Sequence, residues 1–109
     1  MNFSQHTVLY LKTTGRITGL PREIEIWFAE SEGRLYLLAE HFHRAQWVQN
    51  IERNAGVKVR IGGREWAATA RALDPERDRE KWDLAQELFR QRYGSGDGLP
   101  VEITLSAPL

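Results

Sequence analysis

Residues 57–73, VKVRI-GG-REWAATARAL, limit the fold more than any other stretch of this chain. Two strand-like runs flank Gly62-Gly63, and a two-glycine link favours a tight hairpin turn. Val57 to Ile61 alternates apolar and polar residues, and Arg64 to Leu73 returns as a long strand. A hairpin in mid-chain commits its strands to antiparallel pairing. The return strand carries Ala67, Ala68, Ala70 and Ala72. So many small side chains imply close approach by a neighbouring element, a partner subunit or a flat ligand.

The remaining segments extend this pattern. His6 to Thr13 (HTVLYLKT) is a β-branched and aromatic run with apolar residues on both faces, as in a buried strand. Thr14 to Arg22 (TGRITGLPR) carries two glycines and a proline and reads as a loop. In Glu23 to Phe28, Ile24, Ile26 and Phe28 face one way while Glu23, Glu25 and Trp27 face the other. A turn at Ser31-Glu32-Gly33 leads into a third strand, Arg34 to Ala39. Between His43 and Arg53 the apolar positions Ala45, Trp47, Val48 and Ile51 take helical spacing, and Asn54-Ala55-Gly56 ends that helix with a left-handed cap. Asp74-Pro75 reads as N-cap and first position of a second helix running to about Arg92, with Trp82, Ala85, Leu88 and Phe89 as its buried stripe. Gly94 to Gly98 is a loop, and Leu99 to Leu105 a last strand.

The expected order is β-β-β-α-β-β-α-β in one domain covering residues 1–109. It is mainly β with two helices, an antiparallel barrel or sandwich of six strands. A chain of 109 residues is short for a closed active site, which favours a homodimer. Trp27, Tyr36 and Trp66, read as outward-facing, are candidate interface groups.

Charge narrows the function. Lys plus Arg equals Asp plus Glu at 15 each, which argues against a dedicated nucleic-acid binder. The absence of cysteine removes disulfides, thiolate metal sites and thiol nucleophiles, and fits a cytoplasmic protein. The sequence has neither a signal peptide nor an apolar run long enough for a transmembrane helix. The charges are nevertheless segregated. Before Glu23 the only charged side chains are Lys12, Arg16 and Arg22, and a second basic stretch from Arg53 to Arg71 contains Glu65 as its single acid. Segregation of this kind can build a local anion site in a neutral protein.

The loop between the first two strands is where such a site fits. Glycines let backbone N–H groups converge, threonines add hydroxyl donors, and Arg16 and Arg22 add permanently charged forks suited to phosphate or carboxylate. No helix follows, so it is not a nucleotide P-loop. The plainer reading is a hairpin loop with solvated arginines. His41-Phe42-His43 on a strand would put two imidazoles on one face, but no obvious third ligand lies in register, so no metal site is assigned. Trp47 and Asn50 share a helix face, either in the core and its polar network or beside a ligand. Tyr93, beside a glycine-rich segment, is either a helix-end packing group or a phenol presented to a cleft as proton donor. No Ser/His/Asp set or carboxylate pair supports hydrolysis.

The motif Thr14-Gly15-Arg16-x-Thr18-Gly19-x-Pro21-Arg22 after an apolar strand resembles the deazaflavin-dependent nitroreductase and quinone reductase family. So do Trp47-x-x-Asn50-Ile51-x-x-Asn54, Val57-x-Val59 with Gly62-Gly63, and Ala68-Thr69-Ala70-Arg71. The likeness runs from Leu9 to about Leu105. It implies a split β-barrel related to the FMN-binding barrels, with coenzyme F420 as cofactor. By the same resemblance Thr14, Gly15, Arg16, Thr18, Gly19, Pro21 and Arg22 fall on the phosphate-binding loop. Ala39, Glu40 and His41 fall where the third strand passes the deazaflavin ring, Trp47 and Asn50 on the flanking helix, and Tyr93 near substrate-facing tyrosines. The implied reaction is hydride transfer to a quinone, nitro compound or activated enone, with Tyr93, His41 or solvent delivering the proton. The alternative is a non-catalytic binder of FMN, haem or a lipophilic ligand on the same fold.

Overall fold

Seven strands form a single antiparallel sheet in the computed structural model, which describes residues 3–109. Met1 and Asn2, the start of the stretch read as lacking a leader, lie outside the described residues. The strands are β1 (Val8–Thr14), β2 (Pro21–Trp27), β3 (Ala29–Ser31), β4 (Arg34–Ala39), β5 (Gly56–Ile61), β6 (Arg64–Ala72) and β7 (Leu99–Pro108). The helices are α1 (Gln46–Arg53) and α2 (Arg79–Tyr93). Across the sheet the order is β2-β1-β5-β6-β7-β4-β3. The two edge strands, β2 and β3, are separated in the chain by Phe28 alone. The sheet therefore curls until its edges meet at that residue, giving a half-barrel.

The count corrects the expected six strands to seven. The run Glu23 to Phe28 is followed by β3, whose three residues are too short to show a period of their own. β1 starts at Val8 rather than His6, because residues 3–6 form a turn closed by the His6 N–H donating to the Phe3 carbonyl at 3.0 Å. The hairpin at Gly62-Gly63 joins β5 to β6 in the expected register, with Ile61 opposite Arg64.

The core has two compartments, one on each face of the curled sheet. Inside the curl, Leu9, Leu11, Leu35, Leu37, Val59, Val101 and Ile103 are fully buried, and α1 contributes Val48 and Ile51. Ala68 and Ala70 belong to this compartment, and α1 packs against β6. The close approach signalled by the alanines is thus made by a helix of the same chain. On the other face α2 lays Ala85 and Phe89 against Ala29, Tyr36 and Leu73. β4 is therefore covered on both sides.

That double cover corrects two surface assignments. Tyr36 is buried beneath α2, and Trp66 is buried with Phe3 edge-on to its indole at 5.5 Å. Neither is an interface group; Trp27 is the exposed one, at 55%.

Both helix starts also move. Phe42–Arg44 form a separate 3-10 turn, and α1 begins at Gln46. Asn54 ends α1 in extended conformation (φ −143°), not left-handed, and its side chain accepts from the Gly56 N–H at 3.1 Å. Asp74 does cap, but it caps a turn. Its Oδ1 accepts from the N–H groups of Glu76 and Arg77 at 2.8 and 2.9 Å. The helix itself waits for Asp78 as its N-cap residue and then runs to Tyr93.

Between α2 and the sheet lies a buried carboxylate that the sequence reading passed over. Glu102 on β7 is 4% exposed. Lys81 reaches it at 3.0 Å, Arg34 at 3.4 Å and Arg71 at 3.5 Å, and the Tyr36 hydroxyl donates to it at 3.4 Å. Burial pushes the Glu102 carboxyl up, but the hydrogen bond and charge of Lys81, with Arg34 and Arg71, hold it below the usual carboxylate range. Arg71 also forks onto Asp78 at 2.8 and 3.2 Å, so one network pins α2 to three strands.

Candidate functional site

The β1–β2 hairpin and α1 together line a cavity of about 610 Å³ whose walls include Thr13, Arg16, Arg22, Gln46, Trp47 and Asn50, with Gly15, Ile17 and Thr18 from the loop and Pro21, Glu23 and Ile24 from β2 around it. Thr14 opposite Pro21 is the last paired position, which leaves residues 15–20 as the loop. The loop closes on itself: Gly15 N–H donates to the Leu20 carbonyl and Gly19 N–H to the Gly15 carbonyl, both at 2.8 Å. The Thr18 hydroxyl accepts from the Leu20 N–H at 3.2 Å. A Cβ on residue 15 would sit 3.0 Å from the Leu20 carbonyl oxygen, so this narrow loop leaves little room for a side chain there. Pro21 opens β2 at a sheet edge, where a missing N–H costs no ladder bond.

Arg16 is fixed rather than solvated. Its guanidinium donates to Asn50 Oδ1 at 3.0 Å and to Gln46 Oε1 at 2.7 Å, and its backbone N–H donates to the same Asn50 oxygen at 3.2 Å. Asn50, 4% exposed, completes its bonding by donating from Nδ2 to the buried Thr13 hydroxyl at 3.1 Å. Helix, strand and loop are thus joined by one amide. Arg22 lines the same cavity and stays exposed. Among the described residues no carboxylate pairs with Arg16 or Arg22, whereas Arg34, Arg60, Arg71, Arg79 and Arg90 all have acidic partners. Glu23 also lines the cavity but is paired with Arg60 at 3.4 Å, so two guanidinium groups without an acidic partner, threonine hydroxyls and a narrow glycine loop suit an anionic oxygen group. Gln46 was not singled out from sequence. Gln46 lies one residue before Trp47, and only the three-dimensional path of Arg16 brings it in.

The other expected site residues divide. Thr14 and Gly19 line two smaller cavities beside the loop, one with Lys12 and Lys58 and one with Arg53. Ala39, Glu40, His41 and Tyr93 are not brought to the large cavity. Ala39 is buried at the end of β4, and Glu40 lines a separate cavity of about 500 Å³ with Trp27 and Asp97. His41 lies in an exposed turn, and Phe42 at φ +54° bends the chain away from β4, so His41 and His43 do not share a strand face. His43 instead meets Glu52 at 3.2 Å. The Tyr93 hydroxyl donates to the carbonyls of Phe28 and of Thr7, the latter at 3.1 Å, and its ring stacks on Trp27 at 4.8 Å. Burial raises the Tyr93 phenol above its ordinary value, so it stays protonated at neutral pH.

A curled antiparallel half-barrel with an arginine-bearing loop cavity at one edge is a split-barrel fold. The profile of the F420H(2)-dependent quinone reductase family matches residues 1–105, and the chain belongs to that family. Solved structures agree on the fold. An F420-H2 dependent reductase is 24% identical over 93% of this chain and 95% of its own, with a TM-score of 0.67. An FAD-binding protein from Mesorhizobium loti is 14% identical over 97% and 86%, with a TM-score of 0.74. A structure described as a domain-swapped dimer is 24% identical over 93% and 81%, with a TM-score of 0.66. No helix among the described residues is long and apolar enough to cross a membrane.

Proposed function

We propose that this protein is an F420-dependent reductase whose loop cavity holds the cofactor phosphate. The observation that carries the reading is Arg16, unpaired by any acid among the described residues, held in place by Asn50 and Gln46, and set beside Arg22 in one cavity. A donor held before the ligand arrives loses little freedom on binding. Family membership supports F420 as the anion-bearing group. When bound, F420 supplies a hydride from its reduced ring to an electron-poor acceptor such as a quinone, nitro compound or activated enone. In this reading Arg16, Arg22 and Thr18 anchor the anionic group, Gly15 lets the loop close around it, and Trp47 and Asn50 form the helix wall. The chain's part is binding, orientation and exclusion of water.

Tyr93 has its proton committed to two backbone carbonyls, so proton delivery falls to His41 or solvent. We further propose a homodimer. The small chain and the exposed edge strand β2 support it, as does the likeness to a domain-swapped dimer. The alternative, a flavin binder without turnover, is favoured by the likeness to an FAD-binding protein.

Titrating the purified protein with F420 and with FMN separates these readings. The proposal expects saturable F420 binding that Arg16→Ala weakens by about tenfold or more, together with F420H2 oxidation on adding a quinone. Tight FMN binding without F420 affinity would select the alternative.

A further inference from the structure

Most of the basic stretch from Arg53 to Arg71 is accounted for by the fold. Arg60 pairs with Glu23 at 3.4 Å and lies over the Tyr10 ring at 4.1 Å, Arg64 lies over Trp66 at 5.6 Å, and Arg71 is shared between Asp78 and Glu102. Lys58 is different. It stands directly opposite Lys12 on β1, and neither ammonium pairs with a carboxylate among the described residues. Like charges directly opposite each other destabilise a strand pair. Glu23 faces Lys12 from the other side, but its carboxylate goes to Arg60. The sheet thus holds two ammonium groups on Cβ atoms about 5 Å apart and sends their nearest counter-charge elsewhere.

The pair opens on a cavity of about 350 Å³, to which Thr14 adds a hydroxyl. Ala67 is the residue opposite Lys58 on β6, so nothing longer than a methyl group covers the ammonium from that strand. A Cβ on Gly56 would meet only Asn54 Oδ1, at 3.4 Å, and one on Gly19 would meet nothing within 4 Å, so these two residues leave open space beside the lysines. Among the described residues no aspartate or glutamate lines the cavity. The adjoining cavity of about 460 Å³, which shares Thr14 and Gly19, adds Arg53 and again no acid. β1 separates the lysines from the loop cavity. Lys12 alternates with the buried Leu11 and Thr13, so its side chain leaves the sheet on the opposite face. Gln46, Trp47 and Asn50, the α1 wall of the loop cavity, do not line this one.

We infer that the Lys12–Lys58 pair is a binding site for a compact dianion, a phosphate monoester or a small dicarboxylate. One doubly charged ligand neutralises both ammonium groups, whereas a monoanion leaves one of them unbalanced. Lysines are point charges on flexible stems, so the site selects by charge rather than by a fixed fork, unlike the latched Arg16. The inference concerns a different site from the loop cavity and stands whether or not that cavity takes F420.

The test titrates inorganic phosphate, succinate and acetate into the full chain at equal ionic strength, following the amide resonances of Lys12, Lys58 and Ala67. The same series on Arg16→Ala/Arg22→Ala removes the loop cavity's arginines from the measurement. The expected order is phosphate and succinate over acetate by about tenfold, in both proteins, with dianion binding weakened by added salt. Lys12→Gln with Lys58→Gln should weaken dianion binding by about tenfold or more and leave F420 affinity within about threefold of wild type. Circular dichroism of the variants confirms that each is folded. Phosphate above succinate assigns the dianion site to a phosphoryl group, and the reverse order assigns it to a dicarboxylate. Equal binding of acetate and the dianions, a preference that survives the double lysine substitution, or no dianion binding up to roughly 10 mM overturns the proposal. Loss of the preference in Arg16→Ala/Arg22→Ala overturns it by placing the ion in the loop cavity. Displacement of the bound dianion by F420 overturns it by giving the lysines to the cofactor.

Discussion

Asn50 Oδ1 accepts two hydrogen bonds from Arg16, one from its backbone N–H at 3.2 Å and one from its guanidinium at 3.0 Å. A single buried amide on α1 thereby sets both the path of the loop and the aim of its arginine. Asn50→Ala leaves the Arg16 N–H without its partner and the Thr13 hydroxyl without its donor. The expected loss is about 1–3 kcal/mol of stability, together with about tenfold weaker anion binding. Denaturant unfolding and F420 titration on the same variant measure both.

Arg16 and Arg22 should respond differently to lysine. Arg16 uses two guanidinium nitrogens at once, on Asn50 and Gln46, and an ammonium cannot reproduce that fork. Arg22 has no such latch and serves as a charge. Arg16→Lys should weaken binding by about tenfold, and Arg22→Lys by less than about threefold. A salt series should show screening of binding in the wild type and in Arg22→Lys alike.

Glu102 makes the fold sensitive to acid. Its carboxyl is held below its ordinary value of 4.5 in the folded chain. The stability it contributes is therefore complete above that value and is lost as pH falls through the folded one. Glu102→Gln should flatten the acid limb of the melting-temperature profile below about pH 4.5. It should also cost about 2 kcal/mol at neutral pH, since Lys81, Arg34 and Arg71 lose their shared partner. Thermal melts across pH for the two proteins provide the comparison.

Tyr93→Phe keeps the stack on Trp27 and removes the hydroxyl bonded to Phe28 and Thr7. A packing role predicts a stability loss of about 1 kcal/mol and turnover within about threefold of wild type. A proton donor in the rate-limiting step would instead lose on the order of a hundredfold in kcat.

Much of this arrangement was legible in the sequence where one local rule acts alone. Gly62-Gly63 between alternating runs specified a hairpin, and Arg34 to Ala39 emerged with the expected bounds. Residues governed by distant partners were read less well. Asp74 was read as the cap of the second helix, whereas Arg71 on β6 helps fix Asp78 at the helix start. Tyr36 looked outward because alternation says which residues share a face, not which faces are covered. Glu102 stood between the apolar residues Val101 and Ile103, a signal of a paired buried charge, but its partners come from β4, β6 and α2. At the loop, composition gave Arg16 and Arg22 as anion donors, while the aim of Arg16 depended on Gln46 and Asn50, 30 and 34 residues further along the chain.

The central claim is that the loop cavity is an F420 phosphate site organised by Arg16. Equilibrium titration of F420 into wild type, Arg16→Ala, Arg22→Ala and the double variant tests it most directly, with FMN as comparator. Saturable F420 binding, stronger than FMN binding, weakened by each substitution and most by the pair, is the predicted result. F420 affinity unchanged in the double variant, or binding of FMN alone, would contradict it.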